Sequence, residues 1–341
     1  MNDIFRTIVR LCWGLLRSNN YKRTGSLFCL LIFISCAVEK DDEMPASQFS
    51  GLSFGTENTI EILTWNLENF PKSDEQTVEY VAQILTHLNC DIVALQEISS
   101  GSYFSFLVNR CNQLDEGNEW TGVKTSPGSY GLAYIYKSNR INVENIFEIF
   151  EQENIAFPRE PFIIDCDING SSFVLINNHL KCCGDGTIDS IDTNIDGTPD
   201  IPNENDDEAR RQSASFFLEE YILNNYSESN VIVVGDLNDD IHEPRLSNVF
   251  WNFIENSEHF KFVDMQLALN GENEQHWTYW SYPSWPSHID HILVNKKLFD
   301  EFENNASTVT TIELEDYFPN GWADYDEFIS DHRPVAWKFS F

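Results

Sequence analysis

The sequence predicts an α/β protein whose large domain begins at Thr59 and continues to the end of the chain. Three observations support this class. From Thr59 onward, short apolar runs of strand-like composition alternate with stretches of helical period. Six of the strand-like runs end in an acidic, amide or imidazole side chain. The chain of 341 residues is 42% hydrophobic and 13% aromatic, which indicates a globular core rather than a disordered chain.

The first 35 residues are typical of a targeting sequence, because Lys22 and Arg23 precede a short apolar stretch at 27–34. That stretch is too short to span a bilayer comfortably, so we interpret it as a signal peptide. The segment ending at Cys36 resembles a relaxed bacterial lipoprotein box, in which Cys36 would carry the lipid anchor. A plain cleaved signal peptide is the alternative. We therefore expect an exported protein, either a lipoprotein of the outer membrane or cell surface or a secreted protein.

Residues 36–58 are polar and acidic, and we predict that they form a tether. Loss of residues 1–35, which contain five Lys/Arg and one Asp, would change the formal charge from −34 to −38. This charge repels polyphosphates at long range, although salt screens it beyond about 10 Å. The chain therefore lacks the basic composition expected for tight DNA binding and fits an exported protein.

The elements of the domain follow in order along the chain. Residues 75–88 have apolar side chains at helical spacing, with Ser73 or Asp74 as the cap, and 103–111 and 210–223 are further helices. A hairpin is predicted around the turn 167–170. Strands are predicted at 61–65, 91–96, 132–136, 141–150, 162–164, 173–177 and 231–234, with a turn at 138–139.

Residues 182–208 are acidic, rich in turn-forming residues and nearly free of apolar side chains, so we predict a surface insertion. The D-x-N-x-D-G spacing within it places oxygen atoms around a tight glycine turn, as in calcium-binding loops. Asn203 occupies the position of the bidentate glutamate of an EF-hand, and the segment more closely resembles the short calcium loops of thrombospondin type 3 repeats. A structural Ca²⁺ site is predicted, with a flexible acidic loop as the alternative. Its ligands would be Asp192, Asn194, Asp196 and Asp200.

Five cysteines follow Cys36 in the sequence. In an oxidising compartment some of them should pair, but the pairing cannot be deduced from an odd number. Because Cys182 and Cys183 are adjacent, each is expected to have a distant partner or to remain free.

Glu97 follows an apolar strand that ends at Gln96. A carboxylate at the mouth of a buried strand must be paired or bind a cation, because burying it alone is costly. A salt bridge is the alternative, but few basic residues remain after the leader is removed, so a metal is the favoured partner. An oxygen ligand suits Mg²⁺, Mn²⁺ or Ca²⁺.

Asp236 and Asn238 follow the apolar strand at 231–234. Strand alternation sends both side chains to the same side, where one can orient or deprotonate a water molecule and the other can hold a phosphoryl oxygen. An Asx-turn that closes the strand is the alternative.

His179 and His332 follow strand-like segments that are far apart in the sequence. One histidine is usually structural, whereas two histidines with carboxylates at matching strand ends indicate acid/base chemistry. We expect Asp331 to face a metal or another histidine while the adjacent His332 faces the phosphate.

Taken together, these residues resemble the endonuclease/exonuclease/phosphatase superfamily over about 59–341. Residues 157–161, which include Arg159, further resemble the Arg-Glu-Pro segment of pancreatic-type deoxyribonucleases, where the arginine contacts phosphate. The motifs that carry the superfamily resemblance are Trp65-Asn66, Leu95-Gln96-Glu97, Asn178-His179, Gly235-Asp236-Leu237-Asn238, Ile289-Asp290-His291-Ile292-Leu293 and Ser330-Asp331-His332-Arg333-Pro334.

The resemblance implies a four-layer α/β/β/α sandwich of two mostly antiparallel sheets, with a site that uses Mg²⁺ or Mn²⁺ at one edge. It implies that Glu97 is the main metal ligand with Asn66 beside it. Asp236 would act on the attacking water, Asn238 would hold a phosphoryl oxygen, and His179 and His332 would stabilise the transition state and transfer protons. Asp290 and Asp331 would orient those histidines or touch the metal.

We expect an exported, metal-dependent phosphodiesterase that acts as a monomer, with nucleic acid, DNA above all, as its substrate. A phospholipid or sphingomyelin phosphodiesterase, or an inositol-phosphate phosphatase, is the alternative within the same fold. The aromatic segment 277–285 would suit either lipid contact or base stacking. A binding module without catalytic activity, stabilised by calcium, is the alternative from another class.

Overall fold

The structure is a computed structural model that describes residues 47–125, 130–168, 170–191 and 201–340. Two six-stranded sheets pack face to face, and helices cover the outer face of each sheet. The predicted four-layer α/β/β/α sandwich is therefore confirmed. In the part of the chain that the structure describes, no helix combines the length and the apolar character needed to cross a membrane.

The first sheet contains the N-terminal strands of the domain and the last strand of the chain. Its two central strands, which are the first two in sequence, run parallel to each other, and the remaining pairs are antiparallel. From one edge to the other it consists of β13 (Thr308–Thr311), β14 (Val335–Phe339), β1 (Ile60–Phe70), β2 (Ile92–Ile98), β4 (Gly131–Lys137) and β3 (Trp120–Lys124).

The second sheet repeats this mixed pattern, with one parallel pair, β7 with β10, among antiparallel neighbours. It consists of β11 (Phe260–Phe262), β12 (Asp290–Asn295), β10 (Asn230–Asp236), β7 (Ser171–His179), β6 (Phe162–Ile168) and β5 (Ile141–Glu148). A separate two-stranded ribbon pairs β8 (Ser190–Ile191) with β9 (Ile201–Pro202).

Helices lie on both outer faces of the sandwich. They are α1 (Asp74–Leu88), α2 (Gly101–Leu114), α3 (Asp207–Asn225), α4 (Trp251–Glu255), α5 (Met265–Glu274), α6 (Phe299–Glu303) and α7 (Trp322–Phe328). Short 3-10 turns occur at Trp277–Tyr279, Lys296–Leu298 and Leu314–Tyr317. α1 and α2 pack on the first sheet, and α3 packs on the second.

The core is divided into three apolar layers, one between the sheets and one beneath each layer of helices. β1 shows how one strand serves two of them. Ile60 and Ile62 point into the layer between the sheets, whereas Leu63 and Trp65 point towards α1. Because both faces are buried, the central strands are almost continuously apolar, as expected of strands covered on both sides.

Each predicted helix and strand is present, but β1, β6 and α2 extend beyond the ranges predicted at 61–65, 162–164 and 103–111. The predicted strand at 141–150 ends at Glu148, and it lies in the other sheet from β4, so the turn at 138–139 connects the two sheets. The turn after β6 uses Gly170 at φ +90°, a conformation that favours glycine.

The predicted tether at 36–58 is too long. The compact unit begins at Gln48, ahead of the predicted domain start at Thr59. Phe49 is fully buried and Leu52 nearly so, and both pack in the layer beneath α1. Two apolar side chains in a polar segment were enough to attach it to the core. Cys36 and the leader lie outside the described residues.

The expected disulfides are absent from the described residues, where all five cysteines are free. Cys90, Cys111 and Cys166 are buried singly in apolar layers, and burial raises the pKa of each thiol. Cys182 and Cys183 lie side by side, with sulfur atoms 3.0 Å apart. The apolar layers therefore hold Cys90, Cys111 and Cys166 as small hydrophobic side chains, whereas Cys182 is half-buried and Cys183 is exposed.

Candidate active site

Three predicted site residues come from adjacent strands of the second sheet. In the register of that sheet, Asp236 at the end of β10 is paired with His179 at the end of β7 and with Asp290 at the start of β12. Residues paired across strands project to the same face and are neighbours in space. Strand pairing alone therefore places the Asp236 carboxylate between the His179 imidazole and the Asp290 carboxylate at one edge of the sheet.

The first sheet contributes Asn66 and Glu97 from its parallel pair. Asn66 is paired with Gln96, and the register shifts directly after this pair. Glu97 has φ +61°, and its carboxylate accepts a hydrogen bond from the backbone N–H of Asn69 at 2.9 Å. This irregularity turns the Glu97 side chain out of the strand alternation and towards the sheet edge.

Polar side chains connect the two sheets at this edge. The amide nitrogen of Asn66 donates to Asp236 Oδ2 at 2.9 Å. Below it, the amide of Gln96 donates to Asn177 Oδ1 at 2.7 Å, and the Asn177 amide donates to two backbone carbonyls of the first sheet at 3.0 Å. All four residues are buried, so these bonds are satisfied without water and fix one sheet relative to the other.

His332 comes from the loop before β14 and completes the group. Its Nδ1 lies 2.8 Å from Asp290 Oδ2, and its Nε2 lies 3.8 Å from Asp236 Oδ2. Burial alone would lower the pKa of His332, but the carboxylates of Asp290 and Asp236 outweigh burial and raise it to about 10. The ring of Tyr282 lies against the imidazole, with centroids 4.7 Å apart. His332 is therefore a protonated group held in one orientation.

His179 has the opposite character. Its Nε2 lies 3.4 Å from Asp236 Oδ2 and 3.9 Å from Glu97 Oε1, and the residue is 3% exposed. Burial, then the nearby cations Arg159 and His332, hold the pKa of His179 well below its usual value. One histidine of the pair is thus neutral and the other charged at neutral pH, which is the division expected of a proton-transfer site.

The two carboxylate oxygens of Asp236 have different partners. Oδ1 accepts the backbone N–H of Asn238 at 3.1 Å, which is the Asx-turn considered from the sequence, while Oδ2 faces Asn66 and the two histidines. Burial raises the pKa of Asp236 to about 7. The Asn238 amide donates to the Leu180 carbonyl at 3.3 Å and lines the same pocket. The structural and functional interpretations of this motif are therefore compatible.

These groups form the floor of an open cavity of about 940 Å³. Arg159 lies at its rim, over the ring of Tyr130 at 5.6 Å, and reaches the carbonyls of His179 and Leu180 at 3.4 Å. Trp285 also lines the cavity and is 76% exposed. The cavity thus offers the Arg159 guanidinium and three aromatic side chains beside a strongly acidic floor, namely Tyr130, Tyr282 and Trp285.

The donor set fits a hard divalent cation. Within the described residues Glu97 forms no ion pair with Lys or Arg, so the salt bridge considered from the sequence is absent. Asp236, Asp290 and His332 have side-chain donor atoms within 4.8 Å of one another, and Asp290 Oδ1 is buried with no hydrogen-bond partner. Buried carboxylates with few counter-charges are the environment that a cation stabilises. Glu97 lines the same cavity, where its Oε1 is 3.4 Å from the Asn66 amide nitrogen.

Asp331 lies at the same cavity but does not occupy the interior of the group. Its Oδ1 is 3.9 Å from Nε2 of His332, and its N–H donates to Glu68 Oε2 at 3.0 Å. Its side chain is 25% exposed. Asp331 therefore lies at the rim of the cavity, not among the buried groups around Asp236. The predicted calcium ligands Asp192, Asn194, Asp196 and Asp200 lie outside the described residues.

Two lining residues were not identified from the sequence. Glu68 accepts from the Asp331 backbone and pairs with Lys72, and burial raises the pKa of the Glu68 carboxyl. Tyr282 stacks on His332, and burial followed by the nearby Asp331 raises the pKa of Tyr282 to about 12. The aromatic segment at 277–285 was a signal for Tyr282. Glu68 lies within β1, beyond the predicted strand at 61–65, and its φ of +37° breaks the alternation that would reveal it.

The histidine next to Asp290 belongs to a separate buried network. His291 Nδ1 lies 2.6 Å from Asp264 Oδ2, and its Nε2 lies 2.9 Å from the Asp239 carbonyl. His288 contacts the same Asp264 oxygen at 3.0 Å. This network fixes the start of β12 and so fixes the position of Asp290.

His332, oriented by Asp290, and His179, beside Asp236, lie above a carboxylate and amide floor at the edge of a four-layer sandwich. This arrangement is suited to phosphoester chemistry. The chain belongs to the endonuclease/exonuclease/phosphatase family, whose family model matches residues 63–332. Enzymes of this family typically depend on divalent metals. No curated protein sequence matches the chain.

Solved structures share the fold at low identity. The human Nocturnin catalytic domain with bound sulfate anion is 17% identical with a TM-score of 0.53, over 83% of this chain and 94% of that one. TDP2 of D. rerio with a single-strand DNA product is 15% identical with a TM-score of 0.53, over 83% and 99%. An endonuclease/exonuclease/phosphatase from Bacteroides vulgatus is 14% identical with a TM-score of 0.53, over 84% and 100%.

Proposed function

We propose that the protein is an exported, divalent-metal-dependent phosphodiesterase, an endonuclease that hydrolyses DNA by in-line attack of an activated water. One observation carries the proposal. His332 and His179, which are far apart in the sequence, both approach Asp236 Oδ2, at 3.8 and 3.4 Å. A neutral imidazole, a protonated imidazole and a carboxylate around one point can position a phosphoryl group between a base and an acid.

His332 is suited to protonate the leaving oxygen. Its Nδ1 proton is donated to Asp290, which fixes the ring, and its Nε2 faces the cavity. Since its pKa is raised to about 10, the Nε2 proton is present at neutral pH. In this proposal Asp290 is a positioning residue, because its contact is with His332 and not with the reacting atoms.

Asp236 is suited to accept the proton of the attacking water. Its pKa of about 7 balances proton acceptance against availability of the charged form at neutral pH. His179 is neutral and can donate from Nε2 to a phosphoryl oxygen, and the Asn238 amide lies beside it at the same cavity. These donors act on the developing charge of the pentacoordinate transition state.

A bound Mg²⁺ or Mn²⁺, held by Glu97 and Asn66, would supply neutralisation of charge on the phosphoryl oxygens. Glu97 and Asp236 line the cavity and Asp290 lies behind His332, so these carboxylates would otherwise repel a polyanionic substrate.

DNA is the proposed substrate because the rim can hold both parts of a nucleotide. Arg159 lies at the rim, where its charge helps to lower the pKa of His179, and can pair with a phosphate. Trp285 is exposed beside it and can stack on a base. The structure of D. rerio TDP2 with a single-strand DNA product shows that this fold accommodates such a ligand. Export rests on the leader at 1–35.

A phospholipid or sphingomyelin phosphodiesterase is the second candidate, and the same tryptophan favours it. An indole that is 76% exposed at the mouth of a phosphoester site suits insertion between lipid headgroups. A lipid anchor at Cys36 would hold the enzyme at such a surface.

Plasmid nicking by the purified protein, with residues 48–58 retained, tests the proposal. With Mg²⁺ or Mn²⁺ we expect supercoiled DNA to be converted to open circles, and His179→Ala to abolish this. His87→Ala is the matched control, because His87 lies in α1 on the outer layer. A folded protein that does not nick DNA but cleaves sphingomyelin vesicles would establish the second candidate instead.

A further inference from the structure

Three carboxylates meet at the base of the insertion 182–208, outside the group that surrounds Asp236. Donor oxygens of Asp185, Asp206 and Glu208 all lie within 4.8 Å of one another. Asp185 is exposed, Asp206 is half-buried and Glu208 is 2% exposed. Like charges this close repel one another unless a cation or a proton intervenes.

Glu208 provides an independent indication of a ligand. Its Oε1 accepts the backbone N–H of Gly186 at 2.5 Å and lies 3.6 Å from the Arg211 guanidinium. That guanidinium is shared with Asp239 at 2.9 Å, so it does not neutralise Glu208 alone. Oε2 of Glu208 is fully buried and has no hydrogen-bond partner. A buried carboxylate oxygen without a partner is costly, and the Glu208 carboxylate lies beside the other two.

The backbone is built closely around this carboxylate. Gly184 has φ +121°, and a Cβ at that position would lie 2.0 Å from Glu208 Oε1. A side chain is excluded there, so the chain passes directly over the carboxylate and then donates to it from Gly186. On the other side, Asp206 Oδ2 accepts from Ala209 at 2.7 Å and from Asp189 at 3.2 Å. Both ends of the insertion are therefore fixed at the cluster.

We propose that Asp185, Asp206 and Glu208 bind a hard divalent cation, best matched by Ca²⁺. All three side chains offer oxygen, the ligand that Ca²⁺ prefers, and three negative charges favour a divalent ion. At metal–oxygen distances of about 2.4 Å, two ligands of one Ca²⁺ lie at most about 4.8 Å apart, which is the limit within which these oxygens lie. Water and backbone carbonyls would complete the coordination.

This site is distinct from the catalytic metal position at Glu97 and from the predicted loop ligands at 192–200. Its consequence concerns the cavity wall. Cys182, Cys183, Gly184 and Gly186 line the catalytic cavity, and Glu208 lines it beside them. A cation at Glu208 would fix this wall by joining residues 184–186 to the start of α3.

Calcium titration by calorimetry tests the proposal on a background that weakens the other candidate sites by removing three of their carboxylates, Glu97→Gln with Asp192→Asn and Asp196→Asn. We expect one binding event, with a Kd on the order of millimolar or tighter. Asp185→Asn should weaken it by about tenfold or more, because one of three charged ligands is lost. Asp189→Asn is the matched control, since Asp189 is equally exposed in the same insertion but contributes no oxygen to the cluster.

Absence of any calcium binding on this background overturns the proposal, as does equal weakening by Asp185→Asn and Asp189→Asn. Asp185 is exposed, so its substitution should leave the fold intact. Glu208→Gln provides a second test, with the same expected weakening. A structural readout is available as well, because bound Ca²⁺ should slow amide exchange at 184–190, and Asp185→Asn should remove that protection.

Discussion

Replacing Glu315 by alanine should destabilise the protein strongly, although Glu315 touches no substrate-binding group. Glu315 is the counter-ion of Arg333, which directly follows His332 and is fully buried. The guanidinium also donates to the Trp277 carbonyl at 2.6 Å and lies 4.4 Å from the Trp277 ring centroid. Glu315→Ala therefore leaves a guanidinium enclosed by protein without its only carboxylate partner among the described contacts.

The expected loss follows from the burial of that charge. Removing one partner of a buried ion pair costs about 3–5 kcal/mol, because the remaining charge cannot regain its water. The hydrogen bond from the Trp277 indole to Glu315, 2.7 Å long, is lost as well. The unit spans residues 48–341, and its unfolding entropy is roughly 0.6 kcal/mol/K at about 2.1 cal/mol/K per residue. The Tm should fall by about 5–8 °C.

Urea unfolding followed by tryptophan fluorescence measures this loss, with Glu313→Ala as the matched control. Glu313 accepts one hydrogen bond from Thr278 and pairs with no buried cation, so its loss should be below about 1 kcal/mol. Burial raises the pKa of Glu315 despite Arg333, which indicates that the pair itself is costly. The double variant Glu315→Leu/Arg333→Met should therefore be more stable than Glu315→Ala. Equal stabilities for Glu315→Ala and Glu313→Ala would refute the reasoning.

Three further predictions concern the site. Gly235→Ala places a Cβ 2.0 Å from the Asn178 carbonyl at φ +145° and should cost about 3 kcal/mol in urea unfolding, whereas Gly101→Ala meets no atom within 4 Å and should be neutral. Asp290→Asn removes the carboxylate that raises the pKa of His332 to about 10. Its kcat should fall about 100-fold and its alkaline limb should move to lower pH, and an unchanged pH profile would contradict the assignment. Chelation of divalent metals should abolish nicking, and added Mg²⁺ should restore it; activity that survives exhaustive dialysis against EDTA would contradict metal dependence.

Much of the fold followed from the sequence because its elements are strongly periodic. The helix at 75–88 and the strand at 231–234 lie within one or two residues of their predicted bounds. The four-layer arrangement came from the ordered motifs and not from periodicity, since a strand buried on both faces does not indicate what covers it. The start of the domain was missed because Phe49 and Leu52 are two apolar residues in a polar segment.

The sequence predicted which residues belong to the site but not how they are arranged in space. Asp236 and His179 could be chosen because each ends an apolar strand, but their adjacency depends on a parallel pairing that no local pattern encodes. Glu68 and Tyr282 escaped because backbone irregularity and a loop placed them at the cavity. The expected cysteine pairs failed for a related reason, since spacing in sequence does not show which apolar layer encloses a thiol.

The buried contact between Gln96 and Asn177 has a consequence for how this molecule tolerates change. The proposed site takes Asn66 and Glu97 from one sheet and His179 and Asp236 from the other, and buried hydrogen bonds join the two sheets. The rate of the proposed reaction should therefore depend on the alignment of the two sheets as well as on the chemistry of each group. A displacement of about 1 Å in such a group can cost about 100-fold in rate. Substitutions in the apolar layer between the two sheets, far from the cavity, should therefore reduce the proposed activity before they unfold the protein. Side chains in that layer must therefore preserve the alignment of the two sheets as well as fill the volume between them.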